Sequence, residues 1–179
     1  MKTWFTADTH FGHTNIIKFC NRPFSTIHRM NEVLTKNWNS RIKEDDLVIF
    51  LGDFAYREKS NVKAYLRNLN GHISFIRGNH DNNNSLDTRV YSLVIEFPNS
   101  EDVFCVHKPE DFNSNYKINL VGHIHNKWKV RSVYQSILVN VGVDVCHYYP
   151  IDIQEILKKV RKEEVRKIKK KEIKDEKEN

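Results

Sequence analysis

The sequence has no apolar run approaching the ~18 residues of a membrane-spanning helix, which excludes a helical membrane protein and predicts no membrane partner. Its first residues, Met1-Lys2-Thr3-Trp4-Phe5-Thr6-Ala7-Asp8, enter a strand at once and carry no signal-peptide core. Cysteine is scarce: Cys20, Cys105 and Cys146 are odd in number and widely spaced. That excludes a disulfide framework and a zinc site built on a cysteine pair, and it fits a reduced cytoplasm, the expected location. There is no internal repeat and no linker rich in Pro, Gly or Ser. A single domain is therefore expected, and 179 residues suffice for a sizeable core.

Charge is present but unevenly placed. The formal net charge is +6 and the pI about 9.2. Residues 158–179 carry eleven Lys/Arg against six Asp/Glu, a net of +5, so the basic pI belongs to the tail and not to the body. The expected division is a domain over residues 1–160 and a basic, charged helical extension over residues 161–179. Beyond Arg161 the apolar stripe thins to Val165, Ile168 and Ile173, which reads as a solvated, fraying helix. The tail lacks the interleaved aromatics of a nucleic-acid platform, so nucleic acid is a minority partner for it.

Residues 2–7 read as a first strand with Asp8-Thr9-His10 at its end. Phe11-Gly12-His13 forms a loop, Thr14 is expected to cap a short helix over residues 15–19, and Asn21-Arg22-Pro23 breaks it. Ser25 or Thr26 caps a longer helix. There Ile27, Met30, Val33, Leu34, Trp38 and Ile42 recur at helical spacing, a core-packing stripe. Residues 47–51 form a continuous apolar run, read as a central strand ending in Gly52-Asp53. Ser60 is expected to cap a helix with Val62, Tyr65, Leu66 and Leu69 inward and Gly71 closing it. Residues 72–76 then read as a short buried strand that runs into Gly78-Asn79-His80-Asp81. The order β, α, β, α, β is that of a mainly parallel layered sheet.

After residue 84 the texture changes. Residues 85–91 are expected to form one short helix. Residues 93–97 and 103–107 read as two strands joined by a turn, and residues 118–121 as another, ending in Gly122-His123-Ile124-His125. Residues 129–134 and 137–141 suggest a final pair. Asp152 with Glu155 three positions on is a capping box, followed by the apolar face of Ile153, Ile156, Leu157 and Val160.

The polar residues at the strand ends form a set: Asp8 and His10; Asp53; Asn79 and His80; His107; His123 and His125. In an open layered sheet, functional groups gather beyond the carboxyl ends of the strands. Asp-x-His and His-x-His place two groups on one side of an extended backbone. Asp53 follows a flexible Gly and can approach closely enough to bridge two ions. The set has no thiolate for a structural zinc site and too much nitrogen for Ca²⁺, so it suits a pair of borderline divalent ions such as Mn²⁺, Fe²⁺, Ni²⁺ or Zn²⁺. His28, His72 and His147 lie outside the pattern and read as structural or surface residues.

Asp8-x-His10, Gly52-Asp53, Gly78-Asn79-His80-Asp81, His107 and Gly122-His123-x-His125 resemble the ordered signature of the calcineurin-like metallophosphoesterases. The opening residues 5–17 and Asn140-Val141-Gly142-Val143-Asp144 further resemble the small bacterial and phage members. Val106 departs from the family, where Gly or Ser is common before this histidine. The resemblance implies an α/β fold, a two-sheet β-sandwich flanked by helices.

It also implies roles. Asp8, His10, Asp53 and His125 would hold a first metal; Asp53, Asn79, His107 and His123 a second. Two divalent cations per chain are expected, Mn²⁺ first among them. Catalysis is expected to use a metal-bridging hydroxide, with His80 as acid and Asp81 orienting it. The implied activity is hydrolysis of phosphodiesters, with monoesters second, on a small phosphate-ester or nucleotide-type substrate. His13, Asn15 and Arg22, in and after the loop that follows the first motif, are candidate substrate contacts. Two alternatives are carried: a non-catalytic metal-binding scaffold of the same fold, and a nuclease that holds nucleic acid with the basic tail.

Overall fold

Strand alternation sorts the first sheet into two faces. In β1 (Thr3–Thr6) and β2 (Leu47–Phe50), Phe5 and Ile49 point to one side while Trp4, Val48 and Phe50 point to the other. The computed structural model describes residues 1–56, 62–81, 86, 88–98 and 101–178. Within them, α1 (Thr14–Phe19), α2 (Ile27–Arg41) and α3 (Val62–Arg67) separate the first three strands. β1, β2 and β3 (His72–Phe75) pair in parallel, and β9 (Ile151–Asp152) adds to β1 antiparallel, giving the order β3-β2-β1-β9. Met30, Leu34, Trp38 and Ile42 of the α2 stripe pack on the Trp4, Val48 and Phe50 face. Each such side chain contributes roughly 1.5–3 kcal/mol by burial.

The second sheet holds β4 (Ser92–Ile95), β5 (Val103–Val106), β6 (Ile118–Val121), β7 (Val130–Val133) and β8 (Ser136–Asn140), in the order β4-β5-β6-β8-β7. β5, β6 and β8 run parallel, with antiparallel β4 and β7 at the edges. Cys105, Leu120 and Val139 meet Phe5, Ile49 and Leu51 in the core between the sheets. The fold is thus a mixed α/β single domain of two sheets flanked by helices. β1 and β2 of one sheet, with β5, β6 and β8 of the other, end at one rim, which gathers their polar successors.

α4 (Ile153–Glu178) starts at the capping box: Asp152 N–H donates to Glu155 Oε2 (3.2 Å) and Glu155 N–H to Asp152 Oδ1 (2.9 Å). Ile156 and Val160 are buried in the inter-sheet core. The helix continues through residue 161 without a break, and Glu163 accepts from Ser132 Oγ (3.0 Å) while Glu164 pairs with Lys117 (3.0 Å). Val165, Ile168 and Ile173 are exposed.

Several local expectations change. Thr14 lies inside α1, and His13 takes the N-cap position with no side-chain cap bond. Thr26, not Ser25, caps α2. β3 is an edge strand with His72 and Ser74 exposed rather than a buried one, because nothing pairs beyond it among the described residues. Gly71, at φ +92°, sits in the α3–β3 loop and not at the helix end. Residues 88–91 are irregular, so no helix runs through them; residues 82–85, 87 and the Ser60 cap lie outside the described residues.

Candidate metal centre

The strand-end residues do converge, and they do so with an unusual backbone. Asp8, His10, Asp53, His123 and His125 all have positive φ, between 48° and 69°. A non-glycine residue in this region costs about 1–3 kcal/mol, and such residues cluster at functional sites. The turns are held by main-chain bonds: Asp8 N–H to Gly52 O (3.0 Å), His10 N–H to Asp53 O (3.1 Å) and Gly122 N–H to His107 O (2.9 Å). Gly78 abuts Asp53 so closely that a Cβ there would overlap its carboxylate and main chain. At Gly52, φ is +88° and a Cβ would lie 2.5 Å from His107 Nδ1, so only glycine fits.

The seven expected ligands form two donor groups, and a third group, Cys20, His125 and Asp144, shares His125 with the first. In one, a ligand atom each from Asp8, His10 and His125 lie within 4.8 Å of one another. In the other, the same holds for Asp53, His107 and His123. Asn79 Oδ1 joins the second group, 3.0 Å from His107 Nε2 and 2.8 Å from His123 Nδ1. Asp53 Oδ2 lies between the groups, 3.6 Å from His10 Nε2 and 3.4 Å from His107 Nε2. That is the position of a bridging carboxylate.

The donors fit borderline divalent cations: two carboxylates, four imidazoles and one amide, with no thiolate among the seven. His10 Nε2 makes the case directly, since it is buried with no hydrogen-bond partner among the described residues. A buried, unpartnered nitrogen costs about 1–3 kcal/mol, and a cation is the partner this one lacks. The ring orientations agree. His107 Nδ1 lies 2.6 Å from Leu51 O, which fixes that nitrogen as the donor and leaves Nε2 as a ligand. His125 Nδ1 lies 3.0 Å from Asp144 Oδ2, with the same consequence.

Charge follows from these contacts. Burial pushes the Asp8 carboxyl up to about 6. Burial also pushes Asp53 up, but the hydrogen bond and charge of His107 prevail and hold it well below the usual range. Burial lowers His107, yet Asp53 and Asp8 lift it to about 9. His125 is likewise lowered by burial and lifted to about 10, chiefly by Asp144. His10 is held well below its ordinary value by burial.

His80 sits over the centre. Its N–H donates to Asp53 Oδ1 (2.8 Å), and its ring meets those of His10 (5.3 Å) and Tyr56 (5.5 Å) edge-on. His80, His10, His123 and His125 line a cavity of about 430 Å³, with His13 and Asn15 on the same wall. Asp81 takes a different place from the one expected. Its carboxylate accepts the N–H groups of Gly78 (2.7 Å), Asp53 (2.9 Å) and Phe54 (3.2 Å). It clamps the Asp53 loop and is a positioning residue for that bridge.

Arg22 is the main correction. It is 4 % exposed and lies beneath the centre, not at the substrate side. Its guanidinium donates to Asp8 O (2.7 Å), Thr9 O (2.9 Å) and both oxygens of Asp144 (2.8 and 2.9 Å). Asp144 escaped the sequence reading as a site residue. The only sequence signal for it was its place at the end of Asn140-Val141-Gly142-Val143-Asp144. Tyr56, stacked on His13 at 3.8 Å, carried no signal at all. His28, His72 and His147 are exposed and apart from the centre, as expected.

Fold and site together define a two-sheet α/β protein with paired metal-binding groups on the sheet rim. The family model of the calcineurin-like phosphoesterases matches residues 1–168, and the chain belongs to that family. The chain is 38% identical over 174 residues to the uncharacterized protein MJ1445 of Methanocaldococcus jannaschii, covering 92% of this chain and 94% of that protein. The crystal structure of AQ665, a protein of unknown function from Aquifex aeolicus, is similar in fold at TM-score 0.69 and 24% identity. That match covers 88% of this chain and 98% of the other. Pseudomonas putida nuclease MPE is similar in fold at TM-score 0.50 and 20% identity, over 78% and 74% of the two chains. No helix among the described residues is long and apolar enough to cross a membrane.

Proposed function

We propose that the chain is a dinuclear metal-dependent phosphoesterase that hydrolyses phosphodiesters in preference to monoesters. The observation that carries this reading is Asp53 Oδ2 standing between His10 Nε2 and His107 Nε2, with Asp8, His10 and His125 on one side and Asn79, His107 and His123 on the other. When bound, two divalent cations, Mn²⁺ first among them, offset the negative charge of a phosphate ester and supply a water of lowered pKa as nucleophile.

The remaining steps belong to the protein. Asp8, His10, Asp53 and His125 hold one cation; Asp53, Asn79, His107 and His123 hold the other. Asp144 and the Leu51 carbonyl fix the tautomers of His125 and His107. His80 faces the cavity and donates a proton to the departing ester oxygen. Asp81 holds the loop that carries Asp53, and the Asp53 carboxylate accepts the His80 N–H. His13 and Asn15 form the substrate-side wall. The scaffold alternative loses ground because the whole donor set and His80 come together.

The test is hydrolysis of p-nitrophenyl methyl phosphate and p-nitrophenyl phosphate with Mn²⁺ and with chelator. The reading expects Mn²⁺-dependent turnover that favours the diester. Turnover that survives chelation, or none with any of Mn²⁺, Fe²⁺, Ni²⁺ or Zn²⁺, would refute it.

A further inference from the structure

The donor cluster Asn79, His107 and His123 separates two cavities. The one beneath His80 contains His123. The second, of about 520 Å³, contains Asn79 and His107 and extends to Tyr91, Phe104 and Lys108. Both lie within the ~300–1,000 Å³ range of small-molecule sites. They share a chemistry that the metal centre does not need. Each holds an exposed aromatic and a lysine: Phe19, 73 % exposed, with Lys127 on one side, and Tyr91, 64 % exposed, with Lys108 on the other.

Tyr91 is built as a fixed surface rather than a loose side chain. Arg77 Nη1 donates to its hydroxyl (3.2 Å), and the guanidinium stands 5.7 Å from its ring centroid. The Arg77 N–H donates to Val90 O (2.7 Å), which ties that chain segment to the end of β3. Phe104 is stacked on Tyr116 at 5.5 Å and closes the back of the cavity. One acidic residue, Asp111, lies on the same wall.

The geometry points to single-stranded nucleic acid as the substrate, with one nucleoside in the Tyr91–Lys108 cavity and the next in the Phe19–Lys127 cavity, on either side of the scissile phosphate. This rests on the phosphodiesterase reading above. An exposed aromatic beside a cation is the arrangement that stacks an unpaired base and holds its phosphate. A monoester occupies one side of the centre only, and a cyclic nucleotide carries one base. A diester with a nucleoside on each oxygen reaches both cavities. Duplex bases are already stacked on one another and cannot use the aromatics.

Two measurements on the full chain test this. Hydrolysis with Mn²⁺ is compared for a thymidine dinucleotide and for p-nitrophenyl methyl phosphate. Equilibrium binding of a fluorescein-labelled hexathymidylate is followed by anisotropy in chelator, where turnover stops. In Tyr91→Ala and in Phe19→Ala, kcat/KM for the dinucleotide relative to the small diester is expected to fall at least about fivefold, and hexathymidylate binding to weaken by a similar factor. Lys108→Ala is expected to lessen the salt dependence of binding. Circular dichroism and melting temperature confirm that each variant is folded.

An unchanged ratio and unchanged binding in Tyr91→Ala would overturn the inference. So would a wild-type chain that turns over the small diester but neither binds nor cleaves the single strand, and in that case the phosphodiesterase reading stands. If the wild type cleaves neither ester yet binds the hexathymidylate through Tyr91, the subsite is right and the phosphodiesterase reading fails.

Discussion

Arg22 and Asp144, 122 residues apart in the chain, form a two-point ion pair beneath the metal centre, with Nε–Oδ1 at 2.8 Å and Nη2–Oδ2 at 2.9 Å. The pair touches both ends of the first donor group: Arg22 holds the Asp8 carbonyl, and Asp144 faces His125 Nδ1. Lysine cannot reproduce the planar fork. Arg22→Lys should therefore weaken binding of the first cation about 10–100-fold, the usual effect of losing a residue that orients ligands. Arg22→Ala leaves the buried Asp144 with His125 as its remaining partner, and the broken buried pair should cost up to about 3–5 kcal/mol in denaturant unfolding. Wild-type metal affinity in Arg22→Lys would make the pair a purely structural feature.

His80 separates from the ligands around it by leaving-group dependence. A nitrophenolate leaves readily as an anion, while an alkyl oxygen needs a proton. His80→Ala should retain both cations and lose little on p-nitrophenyl methyl phosphate. It should lose about 10²–10⁴-fold in kcat on a dialkyl phosphate, the span of general acid catalysis. His123→Ala should impair both esters alike. Equal losses in His80→Ala on the two esters would remove the acid role.

Much of this centre was legible in the sequence, for a definite reason. The proposed ligands sit on short turns at strand ends, so Asp8-x-His10, Gly52-Asp53 and His123-x-His125 keep their spacing in the chain and carry the pattern with them. Arg22 was misread because a charged residue after a short helix, next to Pro23, ordinarily faces solvent. What buries it is Asp144, and a contact across 122 residues leaves no local trace. The β1–β2–β3 order was readable from the alternation of strand and helix, whereas the edge position of β3 depends on what pairs beyond it. β9 escaped notice because two residues, Ile151 and Asp152, are too few to show a period.

Metal binding should release protons. Without metal, His107 is lifted to about 9 and His125 to about 10, so both are imidazolium at pH 7, with a proton on each ring nitrogen. A cation must displace those protons, so affinity should rise with pH up to about pH 9–10, where the two imidazolium groups lose them unaided. Titration calorimetry in buffers of different ionisation enthalpy reads the release directly. A binding enthalpy independent of buffer would contradict protonated imidazoles at His107 and His125.

Asp46 acts on stability and lies apart from the centre. Its carboxylate accepts the N–H groups of Lys2 (2.7 Å) and Lys43 (3.1 Å) and the Trp4 Nε1–H (3.0 Å), which hold its pKa at about 2. A depressed carboxyl stabilises the fold above its unfolded pKa of about 3.9, and that stabilisation is lost as pH falls toward 2. Asp46→Asn should therefore melt below wild type at pH 7, and the gap should narrow between about pH 4 and pH 2. A gap that stays constant with pH would show that the charge of Asp46 is not what stabilises.

Elemental analysis tests the bridging place of Asp53 most directly. The chain is loaded with Mn²⁺, freed of excess by gel filtration and counted for metal per chain, beside a folded Asp53→Asn variant. About two ions are expected in the wild type and fewer than one in the variant, because one carboxylate oxygen serves both groups. A full pair of ions retained in Asp53→Asn would contradict that bridging place.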